Sequence, residues 1–274
     1  MVNIPLLDFG GEGEVIHFAH ANGYPPGAYK QLLDSLTAKF RVLAILQKPF
    51  QENSNYEDFK SWDELAEDII SAIESYNLKQ VVGMGHSLGA VATIIAAHKR
   101  PELFSKLVLI DPVLFPKYVD YVSAIVPISF RKNLIPIARK ALNRKSEWYS
   151  KENAFKSYRQ KEVFRRFSDD ALWNYINSGT RKDGKTGMQV LRFSKEWEAR
   201  IYSTVPHVFD KLLDIKTPIY AIRGEETDVI SKDMWKKWKS SQTQNHFLNV
   251  AFASHLVPME YPEVISKWLF DYLS

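Results

Sequence analysis

The sequence predicts a single large α/β domain: a mostly parallel sheet covered by helices on both faces, with a helical segment inserted into it. Two observations predict this class. Short apolar runs alternate with helical patterns at both ends of the chain, and the alternation stops in the middle. With 274 residues, 45% hydrophobic and 25% charged, the chain is long enough, and ordinary enough in composition, to bury one substantial core.

The first part of the chain alternates strand and helix patterns. Buried strands are predicted for EVIHFAHA from Glu14, FRVLAIL from Phe40, QVVGMG and SKLVLID. Two helices lie between them, SWDELAEDIISAIESYNL and LGAVATIIAAHKR, and the second stops before Pro101. Ser61 and Glu64 have the spacing of a capping box at the start of the first helix.

The middle of the chain has mostly helical spacing of aromatic and basic residues, with the turn-like TRKDGKTG near its end. Strand and helix patterns then return with PIYAIRG, SKDMWKKWKSS, NHFLNVA and VPMEYPEVISKWLFDYL. We therefore predict a core formed by residues 1–112 and 207–274, and a helical cap, or lid, formed by residues 113–206.

Charge is distributed unevenly between these parts. Residues 113–206 contain 19 Lys and Arg against 9 Asp and Glu, a formal charge of +10, whereas the remainder carries 17 against 23, or −6. A basic patch of this kind is one signature of nucleic-acid binding. Because acidic residues are interleaved along the helical stretches, solvated helix faces explain it better, and we expect no nucleic-acid partner.

A short motif points to chemistry. Gly85-His86-Ser87-Leu88-Gly89 matches G-x-S-x-G where a predicted strand meets a predicted helix, the context in which the serine sits on a strained turn as a nucleophile. Gly85 and Gly89 are small enough for such a turn. Taken alone, the motif is equally compatible with Ser87 as a helix cap.

A nucleophilic serine needs a base and a carboxylate that orients the base. The expected chain order of Ser, acid and His is met by Asp228 in GEETDVIS and His255 in ASHLVPMEYPE, each in a loop after a late strand. Asp111, which ends LVLID, is an alternative acid, as are Glu225 and Glu226. His86 adjoins the serine, but on such a turn we expect its ring to point away and to support the oxyanion loop. His98, His207 and His246 have no motif context, and we expect them to be surface or core histidines.

The tetrahedral intermediate requires two donors for its oxyanion. We expect one to be the backbone N–H of Leu88, at a helix N-terminus. The loop HANGYPPGAY would provide the other, from Asn22 or Gly23, with His20 bracing the loop. An ordinary strand-to-helix turn is the alternative interpretation of this loop.

Together, HANGYPPGAY, GMGHSLGA, LVLIDP, RGEETDVIS and ASHLVPMEYPE resemble the α/β-hydrolase superfamily, in its lid-bearing subgroup of small serine esterases and lysophospholipase-like hydrolases. The resemblance covers nearly all of the chain outside the cap. It implies a mostly parallel sheet of about eight strands, an acyl-enzyme mechanism, no cofactor and no metal. It also implies a triad of Ser87, Asp228 and His255. The chain departs from the family in its longer oxyanion loop and in an acid four, rather than three, residues after Gly224.

The substrate is expected to be a small-molecule carboxylic ester with an apolar acyl group, and the basic cap adds anionic esters such as a lysophospholipid or a thioester. A C–C bond hydrolase using the same triad is an alternative, and so is a ligand-binding protein or receptor that keeps the scaffold. Cap aromatics could line an acyl pocket, although most are expected to form the cap's own core; they are Tyr118, Tyr121, Phe130, Trp148, Tyr149, Phe155, Tyr158, Phe164, Phe167 and Trp173.

The compartment is inferred from what the sequence lacks. The absence of cysteine excludes thiol chemistry and disulfides but does not fix a compartment. The start of the chain lacks a signal-peptide pattern, and no apolar run is long enough to span a bilayer. We therefore expect a cytoplasmic protein without stable membrane insertion.

Overall fold

The structure, a computed structural model, describes residues 4–51, 54–115 and 134–273. Its main sheet is built from short apolar strands, as predicted. The strands are β1 (Leu6–Gly10), β2 (Val15–Ala19), β3 (Arg41–Ile45), β4 (Val81–His86), β5 (Phe104–Ile110), β9 (Ile219–Gly224) and β10 (His246–Val250).

These strands lie in the order β1-β3-β2-β4-β5-β9-β10. Only β1 is antiparallel to its neighbour among the described pairs; the others are parallel. The mostly parallel sheet is confirmed, and the expected eight strands are corrected to seven in the described ranges. β1 had no clear signal, because its half-exposed sequence LLDFG neither alternates nor forms a buried apolar run.

Both faces of the sheet are covered. Successive residues of β5 divide between two buried clusters: Leu107 and Leu109 belong to one, Val108 and Ile110 to the other. This division follows from the two-residue period of a strand. The flanking helices are α1 (Lys30–Leu36), α2 (Asp63–Ser75), α3 (Leu88–Lys99), α8 (Phe209–Asp214), α9 (Lys232–Ser241), α10 (Val257–Glu260) and α11 (Pro262–Leu273).

Two local predictions are corrected. Ser61 and Glu64 do not form the reciprocal capping box: the Glu64 carboxylate instead accepts from the backbone N–H of Lys60 at 2.7 Å, and Trp62 is the N-cap. The last predicted helix is two helices, α10 and α11, which are separated at Tyr261 because the residue before a proline is disfavoured in helical geometry.

The inserted segment is mixed rather than purely helical. Its elements are α4 (Pro136–Leu142), β6 (Glu147–Trp148), α5 (Lys151–Arg159), α6 (Asp169–Gly179), β7 (Thr180–Lys182), β8 (Gln189–Leu191) and α7 (Lys195–Tyr202). The three strands form a small antiparallel sheet in the order β6-β8-β7. The turn-like TRKDGKTG contains strand β7 and the turn that leads to β8, in which the Asp183 carboxylate accepts from the Thr186 N–H at 2.8 Å.

Across the described ranges, none of the helices is both long and apolar enough to cross a membrane.

Candidate active site

Ser87 sits on a strained turn between β4 and α3. Its backbone has φ 54° and ψ −115°, a conformation that costs a non-glycine residue energy and needs support from its surroundings. The flanking glycines explain how the turn fits. A Cβ on Gly85 would lie 2.5 Å from the Gly89 carbonyl, and a Cβ on Gly89 would lie 2.0 Å from the Ala19 oxygen. The steric role predicted for both glycines is therefore present in the structure.

Ser87 and His255 are in hydrogen-bond contact. The Ser87 Oγ lies 2.8 Å from His255 Nε2, and His255 Nδ1 lies 2.7 Å from Asp111 Oδ2. Because the Asp111 carboxylate can only accept, Nδ1 carries the proton and Nε2 is left to accept from the serine hydroxyl. The arrangement leaves His255 ready to take a proton from Ser87.

The acid that contacts His255 is Asp111, which corrects the expectation for Asp228. Asp111 follows β5 directly in a left-handed conformation, φ 42°, and is fully buried. Its Oδ1 accepts from the Gly224 N–H at 3.2 Å, and its Oδ2 accepts from the Thr227 hydroxyl as well as from His255. The carboxylate is therefore fixed from two sides.

The other acids considered for this role lie elsewhere. Asp228 is exposed and lines the cavity described below. The Glu225 carboxylate accepts from the Phe252 N–H at 3.2 Å, and that of Glu226 forms an ion pair with Arg166. Sequence order alone did not distinguish these acids, since Asp111 and Asp228 both stand between Ser87 and His255 and both follow a strand.

His86 supports the loops around the site, as expected. Its Nε2 lies 2.9 Å from the His255 carbonyl oxygen, so Nε2 carries the proton and donates. Its Nδ1 therefore accepts from the Tyr29 hydroxyl at 2.8 Å, and the Tyr29 oxygen accepts in turn from the Ala21 N–H at 3.0 Å. Burial, and next the neighbouring His255, hold the pKa of His86 well below its ordinary value, so the ring stays neutral.

His20 braces the loop that follows β2. Its Nδ1–H donates to the Ala21 carbonyl at 2.9 Å, and its Nε2 accepts from the Gln47 N–H at 3.2 Å. The Gln47 side chain also donates to the His20 carbonyl at 2.6 Å. Burial lowers the pKa of His20 to about 4, which keeps this brace neutral. Sequence reasoning had missed Tyr29 and Gln47, although Tyr29 ends the loop motif HANGYPPGAY.

The residues expected to donate to the oxyanion lie beside Ser87. Leu88, the first residue of α3, and Asn22 both line the cavity that contains Ser87. Gly23 has φ +76° and packs against the insert, where a Cβ would lie 3.2 Å from the Phe193 ring. Asn22 is on the described cavity lining and Gly23 is not, which favours Asn22 as the second donor.

A cavity of about 820 Å³ opens over Ser87 and His255. Its lining is mainly apolar. The core contributes Trp62, Val229 and Leu256, and the inserted segment contributes Val113, Phe115, Leu134, Ile135, Ile137, Val163, Ile201, Tyr202 and Val205. The charged side chains on the described lining are Lys140, Glu162, Arg166, Glu226, Asp228 and Glu260.

Most of the described cap aromatics are buried in the packing of the insert and in its contact with the core. Trp148, Tyr158, Phe164 and Phe167 are buried in one core cluster, whereas Tyr149 is 84% exposed. Phe155 and Trp173 stack on each other with ring centroids 4.6 Å apart. Tyr118, Tyr121 and Phe130 lie outside the described residues. The aromatic side chains that do line the cavity are Tyr24, Trp62, Phe115 and Tyr202.

A serine, a histidine and an aspartate in series at the carboxyl edge of a parallel sheet are the arrangement used by hydrolases of the nucleophile-elbow type. The chain belongs to the alpha/beta hydrolase family, whose family model matches residues 18–268. It is a hydrolase by that membership.

Individual relatives are more distant. The chain is 24% identical over 249 residues to the uncharacterized hydrolase YugF of Bacillus subtilis (strain 168), covering 90% of this chain and 85% of that protein. It is 35% identical to a strigolactone esterase of Arabidopsis thaliana, but over only 105 residues, or 36% of this chain and 39% of that protein.

Among solved structures, E-2-(acetamidomethylene)succinate hydrolase superposes with a TM-score of 0.81 at 19% identity, covering 98% of this chain and 94% of that one. At this level of identity the likeness shows a shared fold.

Proposed function

We propose that the protein is a serine hydrolase that cleaves carboxylic esters of apolar acyl groups through an acyl-enzyme. The observation that supports this most is the hydrogen-bonded series Ser87–His255–Asp111, with contacts of 2.8 and 2.7 Å, at the base of a mainly apolar cavity. Ser87 is the nucleophile, His255 the general base and Asp111 the residue that orients it.

The reaction follows from this geometry. The Ser87 Oγ attacks the ester carbonyl carbon while His255 Nε2 takes the hydroxyl proton, and the carbonyl oxygen becomes an oxyanion held by the N–H groups of Leu88 and Asn22. Collapse of this intermediate breaks the ester C–O bond, and the alcohol leaves with the proton from His255. Water, deprotonated by the same histidine, then attacks the acyl-enzyme; the acid is released and Ser87 regains its proton.

The described cavity lining supports a neutral acyl group. The lining has two cationic side chains, Lys140 and Arg166, and Arg166 forms an ion pair with Glu226. It has four carboxylates, those of Glu162, Glu226, Asp228 and Glu260. The positive charge of the insert is thus not concentrated on the described lining, and neutral esters should be better substrates than esters with an anionic acyl chain.

The test is hydrolysis of p-nitrophenyl butyrate by the wild type and by Ser87→Ala. We expect the variant to lose on the order of 10³- to 10⁶-fold in kcat, since removal of the nucleophile leaves only the oxyanion and binding contributions. Ser203→Ala is the matched control, because Ser203 lines the same cavity but its hydroxyl donates to the Ala199 carbonyl at 2.7 Å. Equal activity of Ser87→Ala and wild type would refute the proposal.

A fluorophosphonate probe tests whether Ser87 and His255 act together as nucleophile and base. It should label wild type at Ser87 and label His255→Ala far more slowly, because the base that activates the serine is gone. Labelling of Ser87 without ester turnover would favour a binding protein or receptor on this scaffold. Turnover of a 1,3-diketone in preference to all esters would favour the C–C hydrolase.

A further inference from the structure

A buried arginine of the insert lies behind the loop that follows β2. The Arg144 guanidinium donates to Glu198 Oε2 at 2.6 Å, to the Tyr158 hydroxyl at 2.8 Å and to the Tyr175 hydroxyl at 3.0 Å. It also lies over the Phe193 ring, 5.3 Å from the centroid. The side chains of Arg144 and Glu198 are 15% and 11% exposed. One cation thus joins α5, α6 and α7 in a polar cluster that is shielded from water.

This cluster, defined as Arg144, Tyr158, Tyr175, Phe193 and Glu198, touches the loop at three successive residues. The Asn22 Nδ2 donates to the Glu198 carbonyl at 3.1 Å. A Cβ on Gly23 would lie 3.2 Å from the Phe193 ring and 3.5 Å from Glu198 Oε1. The Tyr24 ring packs on the Tyr175 ring with centroids 5.1 Å apart.

The core holds the same loop from its other side, through His20, Gln47 and Tyr29. The backbone of Asn22 is therefore clamped between the core and the cluster. A guanidinium suits this place, because its rigid planar fork holds Glu198 and both tyrosines at fixed angles, which an ammonium cannot do.

We infer that Arg144 is a positioning residue for catalysis: through Glu198 it fixes the Asn22 loop and hence the second oxyanion donor. This rests on the proposed function, since it concerns how that reaction's oxyanion is held. Arg144 is absent from the cavity lining and acts through other groups.

The expected signature is a change in kcat rather than in KM. A displaced oxyanion donor stabilises the transition state less but leaves ground-state binding of an apolar ester nearly unchanged. Removing a donor outright costs about 10²- to 10³-fold in kcat. We expect Arg144→Met to lose about 10- to 100-fold in kcat, with KM within about threefold of wild type.

The experiment measures kcat and KM for p-nitrophenyl butyrate and the rate constant of fluorophosphonate labelling at Ser87, with thermal melting as the check on folding. Arg159→Met is the matched control. Arg159 belongs to the same insert and donates to the Phe164 and Phe167 carbonyls and to Asp169, without a described contact to residues 21–24. Its kcat should stay within about threefold of wild type.

Because Arg144→Met leaves Glu198 buried without its partner, it can fail to fold. Two variants cover that case. Arg144→Met/Glu198→Gln removes both charges together, which is much better tolerated than removing one. Asn22→Ala leaves the ion pair and the backbone N–H of residue 22 intact and removes the side-chain hydrogen bond from the loop to the Glu198 carbonyl. Both should lower kcat by about tenfold or more.

The strongest test is additivity. If Arg144 acts through Asn22, the combination of Arg144→Met/Glu198→Gln with Asn22→Ala should lower kcat hardly further than the larger of its two components. Full additivity, or wild-type kcat and labelling rate in folded Asn22→Ala or folded Arg144→Met/Glu198→Gln, would overturn the inference. Absence of wild-type labelling at Ser87 would instead show that the proposed function is wrong.

Discussion

The two regions that enclose the cavity are built on different principles. The floor, defined as Ser87, Asp111 and His255, is held mainly by backbone: strained turns at strand ends, glycine contacts and N–H groups of neighbouring strands. The wall, defined as the cavity-lining residues of the insert from 134 to 206, is held by side chains, through a buried ion pair and aromatic packing.

The difference has a clear consequence. Parallel strands joined in register fix their ends with little freedom, so a floor made from strand ends keeps its geometry whatever covers it. A wall held by side-chain packing can change its lining with smaller consequences for the floor. Substitutions in the floor should therefore act mainly on kcat, and substitutions of the residues that line the wall should act mainly on substrate selection. Arg144 does not line the cavity and is the exception, since we infer that it acts on kcat through the Asn22 loop.

The largest expected effect is at the floor. Asp111→Asn should lower kcat by about 10³- to 10⁴-fold, because an amide in place of the carboxylate disturbs the tautomer and orientation of His255. Steady-state kinetics with p-nitrophenyl butyrate measures this. Asp228→Asn is the comparison and should change kcat by less than about threefold; the reverse ranking would return the orienting role to Asp228.

A substitution in the wall should act on selectivity. Val205 lines the cavity and is only partly buried. Val205→Phe should narrow the cavity and lower kcat/KM for p-nitrophenyl octanoate by about 10-fold relative to the acetate, with kcat for the acetate nearly unchanged. Equal losses for both esters would show that wall and floor are coupled at this residue.

A smaller effect is expected at Tyr29, which supports the floor through its hydrogen bonds to Ala21 and His86. Tyr29→Phe removes the hydroxyl that accepts from Ala21 and donates to His86, leaving both partners buried and unpaired. We expect a loss of about 1–2 kcal/mol in the free energy of unfolding and a several-fold fall in kcat. Urea titration and kinetics check this, and Tyr149→Phe, at a highly exposed tyrosine, is the control. An unchanged kcat would mean that the Tyr29–His86 chain stabilises the fold alone.

The smallest expected effect is at Asp68, where a substitution should change stability without changing activity. Asp68 lies on α2, and its burial raises the pKa of its carboxyl to about 6. Lys48, whose Nζ lies 3.4 Å from Asp68 Oδ1, lowers this pKa but offsets only part of the effect of burial. Since the folded pKa exceeds the ordinary value of 3.8, this carboxyl lowers stability as pH rises from about 4 to about 6. Asp68→Asn should therefore raise the free energy of unfolding by about 1 kcal/mol at pH 7.5 and by almost nothing at pH 4.

Urea unfolding at the two pH values measures this difference, with Asp63→Asn, at a partly exposed aspartate of the same helix, as control. An Asp68→Asn gain that is equal at both pH values would contradict the titration argument. The rate of p-nitrophenyl butyrate hydrolysis at pH 7.5 should be the same as for wild type, because Asp68 is not among the residues of floor or wall.

The sequence predicted the parallel core, the elbow at Ser87 and the loop position of His255, because each depends on local patterns: apolar runs, glycine spacing and a polar residue after a strand. The prediction that Asp228, rather than Asp111, is the carboxylate in contact with His255 was wrong. Two strand ends satisfied the same chain order, and the direction in which each carboxylate points depends on backbone angles such as the left-handed φ of Asp111.

The insert was predicted less well for a related reason. Its strands are only two or three residues long, too short to show a two-residue period, and the helical spacing around them dominated the interpretation. The network through Arg144 joins residues up to 54 positions apart in sequence, so no local pattern could have indicated it.

The glycine contacts beneath Ser87 also bear on how this protein can evolve. At Gly85 and Gly89 two stretches of main chain meet with no room for a single added carbon, so these positions are closed to gradual change. Variants selected for a new substrate should therefore carry their substitutions around the cavity lining of the insert, while the ten residues from Val81 to Ala90 pass through selection nearly unaltered.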